Sequence, residues 1–376
     1  MSIFFEGVSL MSRKATSLWL LILLTAGLAG CGGSSSNSSP STGSGSSHLL
    51  YASLPSNNTI AAFRVNTSSG AFTNVVGSPF PAGNSPGAML VHPSNQFLYA
   101  VNRFEDTVSL FDIDQKVGSL AEVLPRTTTG VTPMALTMNS GGSMLFVLNQ
   151  LSGSISVFSI DAASGALSQV AGSPFPTAPD PVAFAITPSG KFLYVLNGNL
   201  ALVFVYTVSS AGVLQQTGAA IPVGAGPFAI AVDPGERFVY VANTADDTIS
   251  ILSINSSTGT LTEVSGSPFE TGDGPISIAV SASGQYIYIA DQGTNDITAY
   301  SIDSTTGFPT AIAGSPFSIN SPVLLVNDSS GSFIYVLTLR SVFVNEFTLD
   351  PATGILALGP ESNSVITVPV GLAVSR

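Results

Sequence analysis

Few side chains in this chain could do chemistry. Only 9% of its 376 residues are charged, two are histidines, and the one cysteine is Cys31. With no second thiol and only His48 and His92, a His-rich zinc site and a cysteine nucleophile are both excluded. His48 precedes the first apolar run and is expected in solvent; His92, in Val91-His92-Pro93, reads as a turn residue. No nucleophile elbow, phosphate-cradling glycine loop, calcium loop or dinucleotide fingerprint occurs, so no cofactor and no metal is implied. The remaining charges gather in connectors between apolar runs. One set is Arg103, Glu105, Asp106, Asp246, Asp247, Asp291, Asp296 and Arg340; the other is Arg126, Asp180, Glu270 and Asp273. Carboxylates and guanidinium groups converging at one mouth could bind a polar ligand or move a proton. Arg103, Arg126, Asp180, Asp273, Asp291, Asp296 and Arg340 are the candidate ligand site. The alternative is that a connector is the only place for a charge when every strand is buried.

The elements that must position these residues repeat. Tyr51, Tyr99, Phe146, Tyr194, Tyr240, Tyr288 and Tyr335 recur 46 to 48 residues apart, each inside an apolar run. A period of this length marks stacked supersecondary units. In residues 226–272 four strands are predicted: Phe228–Val232, Phe238–Ala242, Thr248–Ile254 and Leu261–Val264. Each is rich in β-branched or aromatic residues and bounded by turn formers. Gly70, Gly118, Gly165, Gly212, Gly259, Gly307 and Gly354 lie between third and fourth strands. Asx residues four positions earlier make Asp114, Asp161, Asp303 and Asp350 turn formers. A proline opens each first strand, and Gly-Ser-Pro-Phe runs close four of the fourth strands, where an outer edge tolerates proline.

Seven such units predict an all-β, seven-bladed β-propeller with four antiparallel strands per blade. The chain starts with a second-type strand at Leu49–Ala52 and ends with a first-type strand at Val370–Ser375. Pairing of these two is expected to close the ring. Both connector sets then open on one face, around the mouth of the central channel.

The N-terminus reads as an export device. Arg13 and Lys14 precede a short apolar stretch that ends in Leu28-Ala29-Gly30-Cys31, too short for a comfortable membrane span. This ending resembles the lipobox of bacterial lipoproteins. The resemblance implies a signal peptide over 1–30, a lipid-bearing Cys31 as mature N-terminus, and an exported lipoprotein of the cell envelope. Residues 31–48 form a Gly/Ser tether with an r.m.s. span of about 20–25 Å, and residues 49–376 form the propeller. The expected partners are the membrane, through Cys31, and an envelope protein or glycan; a monomer is expected. A net charge of −12, with 10 basic and 22 acidic residues, leaves no footprint for nucleic acid.

Phe192–Asn197, with Pro188-Ser189-Gly190-Lys191 before it, and its counterparts at 97–102, 238–243 and 286–291 resemble the seven-bladed lactonase/cycloisomerase family. That family includes propeller-type 6-phosphogluconolactonases. Residues 239–252 are also similar to YVTN-type envelope propellers. The resemblance implies a propeller over 49–376, and three readings stand: a non-enzymatic binding or scaffolding module of the envelope, a lactonase acting on an uncharged sugar lactone, and a structural or surface-layer spacer. The family's Arg-His pair is replaced by Pro181-Val182 and Pro227-Phe228, and Asn197 is followed by Gly198 where a Glu would stand. Asp291-Gln292-Gly293-Thr294-Asn295-Asp296 does match a family run. The leading expectation is a binding or scaffolding module.

Overall fold

The computed structural model describes residues 47–328, 330–362 and 367–375. Cys31, the expected signal peptide and all but the last two residues of the expected tether lie outside them. Among the described residues every regular element is a β-strand. Seven antiparallel sheets follow one another, and their innermost strands contact in a closed ring. Closure occurs as the two chain ends predict. Gly371–Val374 pairs with Ser47–Leu54, aligning Leu50 with Val374 and Ser53 with Gly371. The N-terminal strand thus begins two residues before the expected boundary.

The fifth blade shows how sequence becomes sheet. Its strands are Pro227–Val232, Phe238–Asn243, Thr248–Ile254 and Leu261–Glu263, within two residues of the prediction. The second strand of every blade is buried along nearly its whole length because neighbouring sheets cover both faces. The fourth strand differs from expectation. In five blades it is broken, and in four of these the Gly-Ser-Pro-Phe run interrupts it rather than ending it: Phe80, Phe175, Phe269 and Phe317 resume pairing with the third strand, as Ile221 does in the fourth blade without the run. The serine of the run fills the gap. Its Oγ accepts a third-strand N–H, as in Ala62 to Ser78 at 2.9 Å and Val157 to Ser173 at 2.8 Å. An outer strand interrupted this way offers no continuous edge to another chain.

The recurring aromatic joins blade to blade. Tyr51, Tyr99, Tyr194 and Tyr288 donate their hydroxyls to the carbonyls of Gly118, Gly165, Gly259 and Gly354, each in the next blade. Those glycines close the hairpins opened by the Asx residues, whose side chains accept backbone N–H groups, as Asp161 does from Ala163 and Ser164. The Ser164 hydroxyl at 2.7 Å, together with these backbone bonds, holds the Asp161 carboxyl below its ordinary range. Gly259 has a φ of +72°, and a Cβ there would fall 2.3 Å from the Phe192 ring of the preceding blade. Backbone conformation and packing therefore both require glycine.

His48 is not in solvent. It is 9% exposed and bonds the Tyr335 hydroxyl through Nε2, across the seam where the last blade meets the first. Burial lowers its pKa, with the Asp328 charge opposing. His92 is the expected turn residue: its Nδ1 lies 2.8 Å from Ser94 Oγ, and its Nε2 bonds the Gly142 carbonyl of the next blade at 2.9 Å.

Candidate functional site

Both connector types do meet on one face, and backbone bonds tie them together. Arg103 N donates to the Ser85 carbonyl at 3.1 Å, and Thr129 N donates to the Asp106 carbonyl at 2.8 Å. Many of the candidate charges serve this tying. Asp106 accepts from Thr132 N, Asp246 from Ala225 N, and Asp247 from Gly274 N, at 2.6–2.8 Å. Asp180 takes the positive-φ position just before Pro181 and accepts from Asn199 Nδ2 at 3.2 Å. Arg126 is not in a connector. It lies in the outermost strand Leu120–Thr128, where it pairs with Glu122 and Glu105 at 2.7 and 3.0 Å. Arg340 and Asp273 are exposed.

The seven candidates therefore do not converge. Asp273, Asp291 and Asp296 share one corner of the sixth blade, where Gly293 N bonds the Asp273 carbonyl at 2.8 Å. Asp291 pairs in register with Asp296 and is fully buried. In the same register Asn102, Asn149 and Asn243 each donate Nδ2 to two third-strand hydroxyls. A connector glycine lies flat against each of them and against Asp291, at Gly83, Gly130, Gly224 and Gly272. Asp291 is thus the acidic form of a structural asparagine. Burial pushes its pKa up to about 6, opposed by bonds from Thr298 and Gly272. Among the described residues no group of three or more His, Cys, Asp or Glu side chains could hold a metal ion.

The channel rim has its own sevenfold position, directly after the second strand: Pro55, Arg103, Gln150, Gly198, Thr244, Gln292 and Leu339. In five blades the N–H of this residue bonds the carbonyl just before the inner-strand proline, at 2.8–3.1 Å. The residue after that proline is a β-bulge, which re-aims the inner strand at the mouth. Rim and bulge residues pack on each other: a Cβ at Gly198 would meet Val182, and one at Gly87 would meet Arg103. Of the seven candidates, Arg103 alone occupies the rim. Phe104, Leu151, Leu200 and Leu339 stand exposed on the surrounding loops.

A second titratable cluster was not among the candidates. Glu346, fully buried in the third strand of the seventh blade, faces Tyr335 in register. Neither carboxylate oxygen has a donor in hydrogen-bond geometry, although the Tyr335 hydroxyl is near enough to act on it. Burial pushes its pKa up to about 7. The residue eleven positions after each recurring aromatic is Ala62, Leu110, Val157, Val205, Ile251 and Ala299, and then Glu346. That register comparison would have exposed it.

Three solved structures share this architecture over nearly their whole length. The proposed 6-phosphogluconolactonases of Bacteroides uniformis and Bacteroides fragilis are 18% and 23% identical, with TM-scores of 0.72 and 0.73. They cover 87% and 90% of this chain, and the match spans 99% and 100% of theirs. A Pseudomonas aeruginosa periplasmic gluconolactonase is 19% identical with a TM-score of 0.72, over 88% of this chain and 99% of its own. At these identities the likeness is one of fold. A search of curated proteins finds no match. The sequence model of the lactonase 7-bladed β-propeller family matches residues 46–184, 173–274 and 266–374, which together span the described ring. Ring closure, blade count and this match agree, and the chain belongs to the seven-bladed β-propeller lactonase family.

Proposed function

We propose that the protein is an exported, lipid-anchored member of this family that works as a binding or scaffolding module of the cell envelope. One observation carries the reading: the face where the connectors meet is built for contact rather than proton transfer. Asp106, Asp246 and Asp247 accept backbone N–H groups and Glu105 pairs with Arg126, while apolar side chains such as Phe104, at 75% exposure, and Leu151, at 73%, stand out from it. Exposed apolar surface rimmed by polar groups favours association. The lipobox-like Leu28–Cys31 and the Gly/Ser tether support display on a membrane surface.

A second reading is hydrolysis of an uncharged sugar lactone. Asp291 favours it, because a carboxyl poised near pH 6 suits general acid–base work. The purified protein incubated with glucono-δ-lactone and related lactones separates the two. We expect no turnover above the uncatalysed rate; turnover abolished by Asp291→Asn or Asp296→Asn would establish the enzyme reading instead. Palmitate labelling lost in Cys31→Ser is the expected result for the anchor, and labelling that persists would remove it.

A further inference from the structure

The binding-module reading leaves open what the channel mouth takes, and two coupled exceptions in the repeat bear on that. After the inner-strand proline six blades carry a bulky apolar residue: Met134, Val182, Phe228, Ile276, Val323 and Val370. Two of these, Phe228 and Val370, remain 39% and 43% exposed at the mouth. The second blade carries Gly87 instead. The same blade holds the one charged rim residue, Arg103, whose Cδ and Cγ would lie 3.4 and 3.5 Å from a Cβ at Gly87. The guanidinium stem therefore packs against the face where the other blades carry a side chain, and a branched side chain at position 87 would crowd it.

Arg103 has no ion pair among the described residues, whereas Arg126 in its outer strand and Arg237 in its turn each have one. Its Nε is buried without an acceptor, and burial lowers its pKa, so its charge is incompletely solvated and unbalanced. An unbalanced, partly desolvated guanidinium favours a planar anion that can take its fork of donors. The bulge residues around it offer hydrocarbon and no second cation, which disfavours a phosphosugar.

We infer that the channel mouth binds a small apolar carboxylate, its hydrocarbon body against the bulge residues and its carboxylate on Arg103. This rests on the mouth being a binding surface, and it adds a ligand class. The test titrates the full chain calorimetrically with decanoate, decanol and acetate. Decanoate should bind with one-to-one stoichiometry, while decanol, lacking the charge, and acetate, lacking the tail, should each bind at least about tenfold more weakly. Arg103→Gln should weaken decanoate about tenfold and leave decanol unchanged. Gly87→Val, which gives this blade the residue type of the others, should evict the guanidinium and weaken decanoate alike. Arg103→Lys, which keeps the charge without the fork, should fall between.

Decanoate binding that is undetectable, or equally tight in Arg103→Gln, would overturn the inference. Acetate binding as tightly as decanoate would do the same for the apolar half of it. Lactone turnover would sink the binding-module reading by a separate readout, so the two can fail independently.

Discussion

Between the second and third blades, Tyr99 donates to the Gly165 carbonyl at 2.7 Å and its register partner is Leu110. Between the seventh and first blades, Tyr335 meets His48 and its register partner is Glu346. Four seams use the first arrangement, in which a phenol satisfies a turn carbonyl inside hydrocarbon. The closing seam places an imidazole and a carboxyl in the same layer. Ordinary seams join consecutive blades, so their partners lie 65 to 67 residues apart; at closure His48 and Tyr335 are 287 apart. Closure therefore depends on the chain ends, and its polar groups make it the seam that responds to protons.

The largest test of this contrast removes the closing strand. Deleting 369–376 strips the first blade of its inner strand and should lower Tm by more than about 10 °C or abolish cooperative unfolding. An unchanged melt would show that the ring does not need closure. Next comes an ordinary seam: Gly259→Val forces a branched side chain onto Phe192 at positive φ and should cost about 3 kcal/mol or more by chemical denaturation. The closing seam should then behave in the opposite sense. Glu346 keeps its proton more tightly when folded, so its contribution is intact below about pH 4.5 and is lost as pH rises through about 7. Glu346→Leu should raise stability at pH 8 by about 2–3 kcal/mol and flatten Tm between pH 5 and 8. Asp291→Asn, away from any seam, should give a smaller gain of about 1–2 kcal/mol above pH 6. The smallest effect is a repair. Phe146 lacks the hydroxyl, and a cleft of about 290 Å³ borders it and Met144. Phe146→Tyr should reach the Gly212 carbonyl and add about 1 kcal/mol or less in the same denaturation assay.

Most of the fold was legible because its signals are local. Asx and glycine four residues apart make a hairpin wherever they fall, and a proline fixes the start of a strand without reference to the rest of the molecule. The closing strand was legible too, since Val370–Ser375 repeats a first-type strand that lacks its partner. The broken outer strand was less so, because Phe80 and its counterparts pair only once the serine has bridged the gap. The candidate site was legible as a face and not as a constellation. Composition placed Asp106 and Asp247 in loops, but only the crossing connector shows that each holds an N–H of that connector. Arg126 was misplaced because a nine-residue outer strand replaces the broken one in its blade. His48 was missed because its partner Tyr335 comes from the far end of the chain, whereas Glu346 faces Tyr335 within its own blade and shows only when the third strands are set in register on the recurring aromatic.

The tyrosine hydroxyls also give the ring a direction in time. Those of Tyr51, Tyr99, Tyr194 and Tyr288 reach forward, from the second strand of one blade to a turn made in the next, so a blade leaving the ribosome waits for its successor before that bond can form. Synthesis proceeds from the N-terminus and domains generally fold as units. The last hydroxyl, on Tyr335, finds its partner on His48, among the first residues of the ring to be made. Until Gly371–Val374 emerges, the strand at Ser47–Leu54 has one open edge and no inner neighbour. A ring whose first strand is completed by its last acts as a length check: a chain released early presents an unpaired strand, the kind of edge on which aggregation starts.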